Sequence, residues 1–202
     1  LVPQGYIMAF VRTEGSLIPA PSHGDFGQDL ALVSTKMLAL DIAAGSLFNG
    51  KVKQKSVIMG HSMGGGATML AAANNANISG IVGLAPAETN PSAIGVCANI
   101  SVPALIFSGS SDGVTPPAEH HLPIYQGIAS SCKSFVRVLF SNDTHIYFER
   151  AQYVFQILFC SIRDNLIHKL TSFQLYVSFY YRLHRFVFIW SIQSWICLNC
   201  AN

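Results

Sequence analysis

Short apolar runs alternate with amphipathic stretches over the first three quarters of the chain. Tyr6-Ile-Met-Ala-Phe-Val11 follows Gly5 without a polar break and predicts a buried strand. Leu30, Val33, Met37 and Leu40 recur at helical spacing and predict a helix over 26–40, with Asp25 placed to cap its start. A second strand is predicted over 56–59, and a helix of small residues over 67–73. Three further strands are predicted over 78–84, 102–108 and 135–140. Strands separated by helices imply a mostly parallel sheet covered on both faces, a doubly wound α/β fold. No internal repeat interrupts the alternation.

The pattern changes near residue 152. All 16 Gly and all 9 Pro precede that point, whereas 153–202 holds neither, carries 12 of the 22 aromatics and has one acid, Asp164. An α/β domain needs Gly and Pro in its turns, so residues 1–152 read as the folded core and 153–202 as a tail outside it. Arg182, His184 and Arg185 break the tail's apolar run before it reaches the roughly 18–20 residues of a membrane span. An interfacial membrane helix is the alternative reading of this tail.

Half of the 202 residues are hydrophobic and 11% are charged, with a net charge of +2. That balance speaks against a nucleic-acid partner, since no Lys/Arg run forms a stripe, and it suits an uncharged or apolar substrate. Leu1 opens the chain and Pro3, Gln4 and Gly5 interrupt any signal-like stretch, so the sequence reads as cut at its front. Sequons at Asn77, Asn99 and Asn142 fit a secreted protein, and Cys97 and Cys132 could bridge two loops or stay as thiols.

The chemistry centres on Gly60-His61-Ser62-Met63-Gly64, a G-x-S-x-G motif between a predicted strand and a predicted helix. A nucleophile elbow requires this context, because a sharp strained turn lifts Ser Oγ out of the sheet and leaves no room for neighbouring side chains. The Met63 N–H then faces the reaction centre as an oxyanion donor. Competing glycine loops fail: no Lys follows Gly64, Gly65 or Gly66 as a P-loop needs, and Met69 replaces the third Gly of a dinucleotide fingerprint.

A serine hydroxyl needs a base, and the base an orienting acid. Asp112 follows the predicted strand over 102–108, and His145 follows the one over 135–140, so both fall at carboxyl ends of strands in the order Ser, acid, His. Glu88 is the rival acid, and Asp143 shares the short loop of His145. His120 and His121 are adjacent, point about 100° apart on a helix and read as surface residues. His23 reads as part of a pre-helix turn, and His61 as packing beside Ser62.

The segments Gly60-His-Ser-Met-Gly-Gly-Gly66 and Gly109-Ser-Ser-Asp112-Gly-Val-Thr-Pro116 resemble α/β-hydrolases of the dienelactone-hydrolase, chlorophyllase and cutinase-like polyesterase group. The resemblance covers residues 1 to about 150. It implies an α/β-hydrolase fold and a triad of Ser62, Asp112 and His145. The activity it implies is hydrolysis of a small, lipid-like or polymeric carboxylic ester through an acyl-enzyme, with no metal or organic cofactor. The first strands and the second oxyanion donor are expected upstream of Tyr6. Two other classes stay open: a hydrolase-fold binding protein without catalysis, and a membrane-associated protein working through its tail.

Overall fold

The computed structural model describes residues 5–12, 22–138, 156–162, 172–176 and 189–193. The chain divides into two units, Leu1–Arg163 and Asp164–Asn202.

The first unit is built on a six-stranded sheet. Its strands are β1 (Tyr6–Phe10), β2 (Val52–His61), β3 (Ile78–Leu84), β4 (Ala104–Gly109), β5 (Lys133–Val138) and β6 (Gln156–Ile162), in the order β1-β6-β2-β3-β4-β5. Strands β2 to β5 run parallel, and their carboxyl ends align: His61 pairs with Leu84, Leu84 with Phe107 and Phe107 with Val136. Helix α1 (His23–Ile42) leads into β2, α2 (Met63–Ala72) follows it, and α4 (His121–Gly127) lies between β4 and β5. After β3 comes the short α3 (Ala93–Val96), continued by a 3₁₀ turn over Cys97–Asn99.

Helix α1 is longer than its apolar spacing predicts, and its buried stripe is Phe26, Gly27, Leu30, Ser34, Met37 and Asp41. Leu40, expected in the core, is exposed, while two polar residues take inward positions. Hydrogen bonds explain the exchange. The Ser56 hydroxyl donates to the Asn77 carbonyl at 2.6 Å, which leaves the Ser34 hydroxyl to donate to Ser56 Oγ at 2.7 Å. The Asp41 carboxylate accepts from Val52 N–H at 2.8 Å and ties the end of α1 to the start of β2. Buried polar groups paired this way cost little. Ser22, rather than Asp25, caps the helix: its hydroxyl accepts from Asp25 N–H at 3.2 Å. Asp25 sits in the first turn, where a negative charge meets the positive end of the dipole.

The expected boundary at 152 shifts. Strand β6 lies between β1 and β2 and is antiparallel to both: Ile7 pairs with Cys160, and Ile58 with Leu158. The inner edges of β1 and β2 do not bond each other, and a strand with unpaired N–H and C=O groups recruits a partner. Absence of Gly and Pro disfavours turns but leaves strand formation untouched, so composition misjudged 156–162. In the second unit, β7 (Ser172–Tyr176) and β8 (Ile189–Gln193) form a two-stranded antiparallel sheet. Among the described residues no helix is long and apolar enough to cross a membrane.

A Cys97–Cys132 bridge is not formed. Cys132 is disulfide-bonded, whereas Cys97 is a free, fully buried thiol that donates to the Ala93 carbonyl at 3.1 Å. Burial, with Glu88 nearby, pushes the Cys97 thiol up to about 12.

Candidate active site

Strand β2 ends at His61, α2 begins at Met63, and Ser62 is the single residue between them. Its backbone takes φ 54° and ψ −120°, a positive φ that a side chain rarely adopts. Such strain persists only where the surroundings enforce it. Here three hydrogen bonds do so: Ser62 N–H donates to Leu84 O at 3.0 Å, and Ser62 O accepts from Gly66 N–H at 3.1 Å and Ala87 N–H at 2.9 Å. The motif's glycines follow from the same crowding. A β-carbon at Gly60 would collide with the Gly64 carbonyl, and one at Gly65 would lie 2.7 Å from Pro86 Cα. The predicted helix over 67–73 therefore starts earlier, at Met63, with its positive end directly under Ser62.

The loop after β3 closes over this turn. Ala85, also at positive φ, bonds Phe107 O through its N–H at 2.9 Å, and Asn90–Pro91 is a cis peptide. His23 joins the loop to the turn: its Nδ1 accepts from Asn90 N–H at 3.3 Å, and its Nε2 lies 3.1 Å from Met63 Sδ. Because Nδ1 accepts, Nε2 carries the proton in the neutral ring and points it at the sulfur. His23 thus does more than shape a pre-helix turn. Glu88, the rival acid, accepts from Ile94 N–H at 2.8 Å and is occupied in holding the start of α3.

Asp112 lies beyond the carboxyl end of β4, two strands from β2, or about 10 Å along the hydrogen-bonding direction. Its Oδ1 accepts from the N–H groups of Val114 and Thr115, both at 2.9 Å, and its Oδ2 from the Thr115 hydroxyl at 3.0 Å. Asp112 thereby caps this turn, and α4 begins six residues beyond Thr115, at His121. The negative charge of Asp112 reaches His61: burial lowers the His61 pKa, and Asp112 partly opposes that.

Two histidines expected on the surface are not there. His121 is fully buried, with both ring nitrogens hydrogen-bonded. His120 is half-buried and accepts through Nδ1 from Glu88 N–H at 2.9 Å. Adjacent residues on a helix point apart, but here α4 packs on β4 on one side and meets the β3–α3 loop on the other, so both directions are protein. Thr115, which from its place before Pro116 and Pro117 reads as a helix cap, instead donates to Asp112 at the Asp-x-x-Thr spacing at which a carboxylate bonds the backbone and hydroxyl three residues on. His145 falls outside the described residues.

Ser62, the Met63 N–H and Asp112 thus share the carboxyl edge of the parallel strands, where open α/β sheets bind ligands. Among the described residues no cluster of His, Cys, Asp and Glu could hold a metal ion.

Comparison with known proteins agrees with this architecture. The chain is 29% identical to bis(hydroxyethyl) terephthalate hydrolase of Streptomyces coelicolor, over 72% of this chain and 43% of that one. It is 33% identical to cutinase est1 of Thermobifida alba over 51% of this chain and 33% of that one. It is 34% identical to the cutinase of Thermobifida fusca over 37% of this chain and 23% of that one. The chain therefore spans less than half the length of these relatives. Residues 1–174 match the family described as PETase, PET hydrolase-like, and the chain belongs to that family.

Proposed function

We propose that this protein is a serine hydrolase that cleaves carboxylic esters through an acyl-enzyme. Ser62 Oγ attacks the ester carbonyl while His145 takes its proton, and Asp112 orients the His145 imidazole. The Met63 N–H at the start of α2 stabilises the oxyanion of the tetrahedral intermediate. His145 returns the proton to the departing alcohol, and water, activated by the same imidazole, releases the acid. The relatives' names, a terephthalate ester hydrolase and cutinases, support a small or polymeric ester as substrate.

The observation that carries this reading is the backbone of Ser62: a non-glycine residue at φ 54°, pinned by three hydrogen bonds at the head of a helix. A turn that served only to link β2 to α2 would place glycine there and avoid the strain. The test is labelling by a fluorophosphonate probe, with the modified residue located by mass spectrometry, alongside hydrolysis of p-nitrophenyl butyrate. Labelling at Ser62, lost in Ser62→Ala together with roughly 10⁴-fold or more of kcat, supports the reading. Hydrolysis by Ser62→Ala within tenfold of the parent would sink it.

A further inference from the structure

A buried hydrogen-bond chain runs from the core to Asp112. Ser108 on β4 is 1% exposed, His121 at the start of α4 is 0% exposed, and Thr115 between them is 5% exposed. His121 Nδ1 lies 2.8 Å from Ser108 Oγ, and His121 Nε2 lies 3.0 Å from Thr115 Oγ1. The Thr115 hydroxyl lies 3.0 Å from Asp112 Oδ2.

The direction of each bond follows from the carboxylate end. An ionised carboxylate only accepts, so the Thr115 proton goes to Asp112. Thr115 Oγ1 must then accept from His121, which puts the ring proton on Nε2. In the neutral imidazole Nδ1 is the acceptor, and Ser108 donates to it. Burial holds the ring neutral: it lowers the His121 pKa, aided by His120 and His61, against the opposing charge of Asp112. All three bonds therefore point the same way, toward Asp112, and each polarises the next.

Lone-pair counting shows what the chain accomplishes. A carboxylate offers about four acceptor positions. The N–H groups of Val114 and Thr115 take both on Oδ1, and the Thr115 hydroxyl takes one on Oδ2. One position remains among these contacts, on Oδ2.

We propose that His121 is a positioning residue of this active site. By bridging Ser108 and Thr115 it locks the Thr115 hydroxyl onto Asp112 Oδ2, so that the carboxylate presents its remaining lone pair to the catalytic base. The inference rests on the reading of Asp112 as the triad acid.

The test measures kcat and KM for p-nitrophenyl butyrate in Thr115→Val, Thr115→Ser, His121→Gln and His121→Leu, each also in an Asp112→Asn background, with Tm recorded for all. Thr115→Val, which keeps the shape and removes the hydroxyl, should lower kcat about 10- to 100-fold with KM within twofold, the factor that one hydrogen bond to a charged group carries. Thr115→Ser and His121→Gln, which keep a donor in place, should stay within about fivefold, and His121→Leu should match Thr115→Val. In the Asp112→Asn background all four should change kcat less than about threefold, because the chain acts through that carboxylate. Long-range ¹⁵N–¹H correlation of the His121 ring should show the Nε2–H tautomer. If His121→Leu does not fold, the Thr115 pair and the tautomer decide. An unchanged kcat in Thr115→Val beside a large loss in Asp112→Asn overturns the inference alone, as do additive losses or an Nδ1–H ring. An unchanged kcat in Asp112→Asn overturns the assignment of the acid, and the inference with it.

Discussion

Gly65→Ala sets two effects of opposite sign against each other at the Ser62 turn. Gly65 lies in the first turn of α2, where replacing Gly by Ala would ordinarily gain up to about 1 kcal/mol of helix propensity. The added β-carbon, however, would sit 2.7 Å from Pro86 Cα, 2.8 Å from Pro86 Cβ and 3.2 Å from Gly60 O. The obstacle is largely backbone, and that backbone is held on both sides: Ala85 N–H bonds Phe107 O, and Ala87 N–H bonds Ser62 O, both at 2.9 Å. Pro86 cannot retreat without stretching one of them. Overpacking of this kind costs about 1–3 kcal/mol, and a loosened hydrogen bond about 1 kcal/mol more. The clash therefore wins, and the net loss is about 1–3 kcal/mol.

Urea unfolding measures it: with a slope of about 1–3 kcal/mol/M, the midpoint should fall by about 1 M at unchanged slope. Gly113→Ala is the control, because its β-carbon meets no atom within 4 Å and its backbone is ordinary. That variant should stay within about 0.5 kcal/mol of the parent. Gly65→Ala should also react more slowly with a fluorophosphonate, since the displaced loop carries the bond to Ser62 O. A midpoint equal to or above the parent's would mean that the loop yields freely, and the account of the strained turn would fail.

The acid is tested by comparing Asp112→Asn with Glu88→Gln; the first should lower kcat by roughly 10³–10⁴ and the second by less than tenfold, and the reverse ranking moves the acid to the loop after β3. Stability should fall as pH drops below the usual histidine value of 6.5, because unfolded His121 and His61 take up protons there while the buried rings, with lowered pKa, do not. Urea midpoints between pH 7.5 and 5.5 read this slope, and His121→Gln should make it shallower. Deleting 164–202 should leave soluble yield and Tm of the first unit unchanged, whereas deleting 153–202 also strips β6 from between β1 and β2 and should cause aggregation. Equal behaviour of the two deletions would show that β6 does not hold the sheet.

The fold was legible where burial is continuous. Strand β3 has the predicted bounds, because Ile78 to Leu84 carries apolar residues on both faces and is buried or half-buried throughout, as a central parallel strand requires. The ends of α1 were less legible, since Ser34 and Asp41 are core residues only by virtue of partners on β2 that no local pattern reveals. The same limit applies to β6. Its pairing with β1 and β2 depends on strands about 150 and 100 residues away, and its own composition argued against membership.

The site divides along a similar line. The strained turn at Ser62 was legible because the constraint is local: strand, turn and helix are contiguous, and the glycines record the crowding in the sequence itself. The place of Asp112 beyond β4 was legible because it follows an apolar run that forms a strand. The groups that hold Asp112 were not, because a buried histidine and a surface histidine look alike in sequence when the difference is made by Ser108, thirteen residues earlier, and Thr115, six residues earlier. Polar residues in such a chain give no periodic signal, since each is placed by its hydrogen-bond partner and not by a face. Yet once the carboxylate fixes one proton, the remaining two bonds have only one consistent direction, so the orientation of the whole chain follows from a single ionised group.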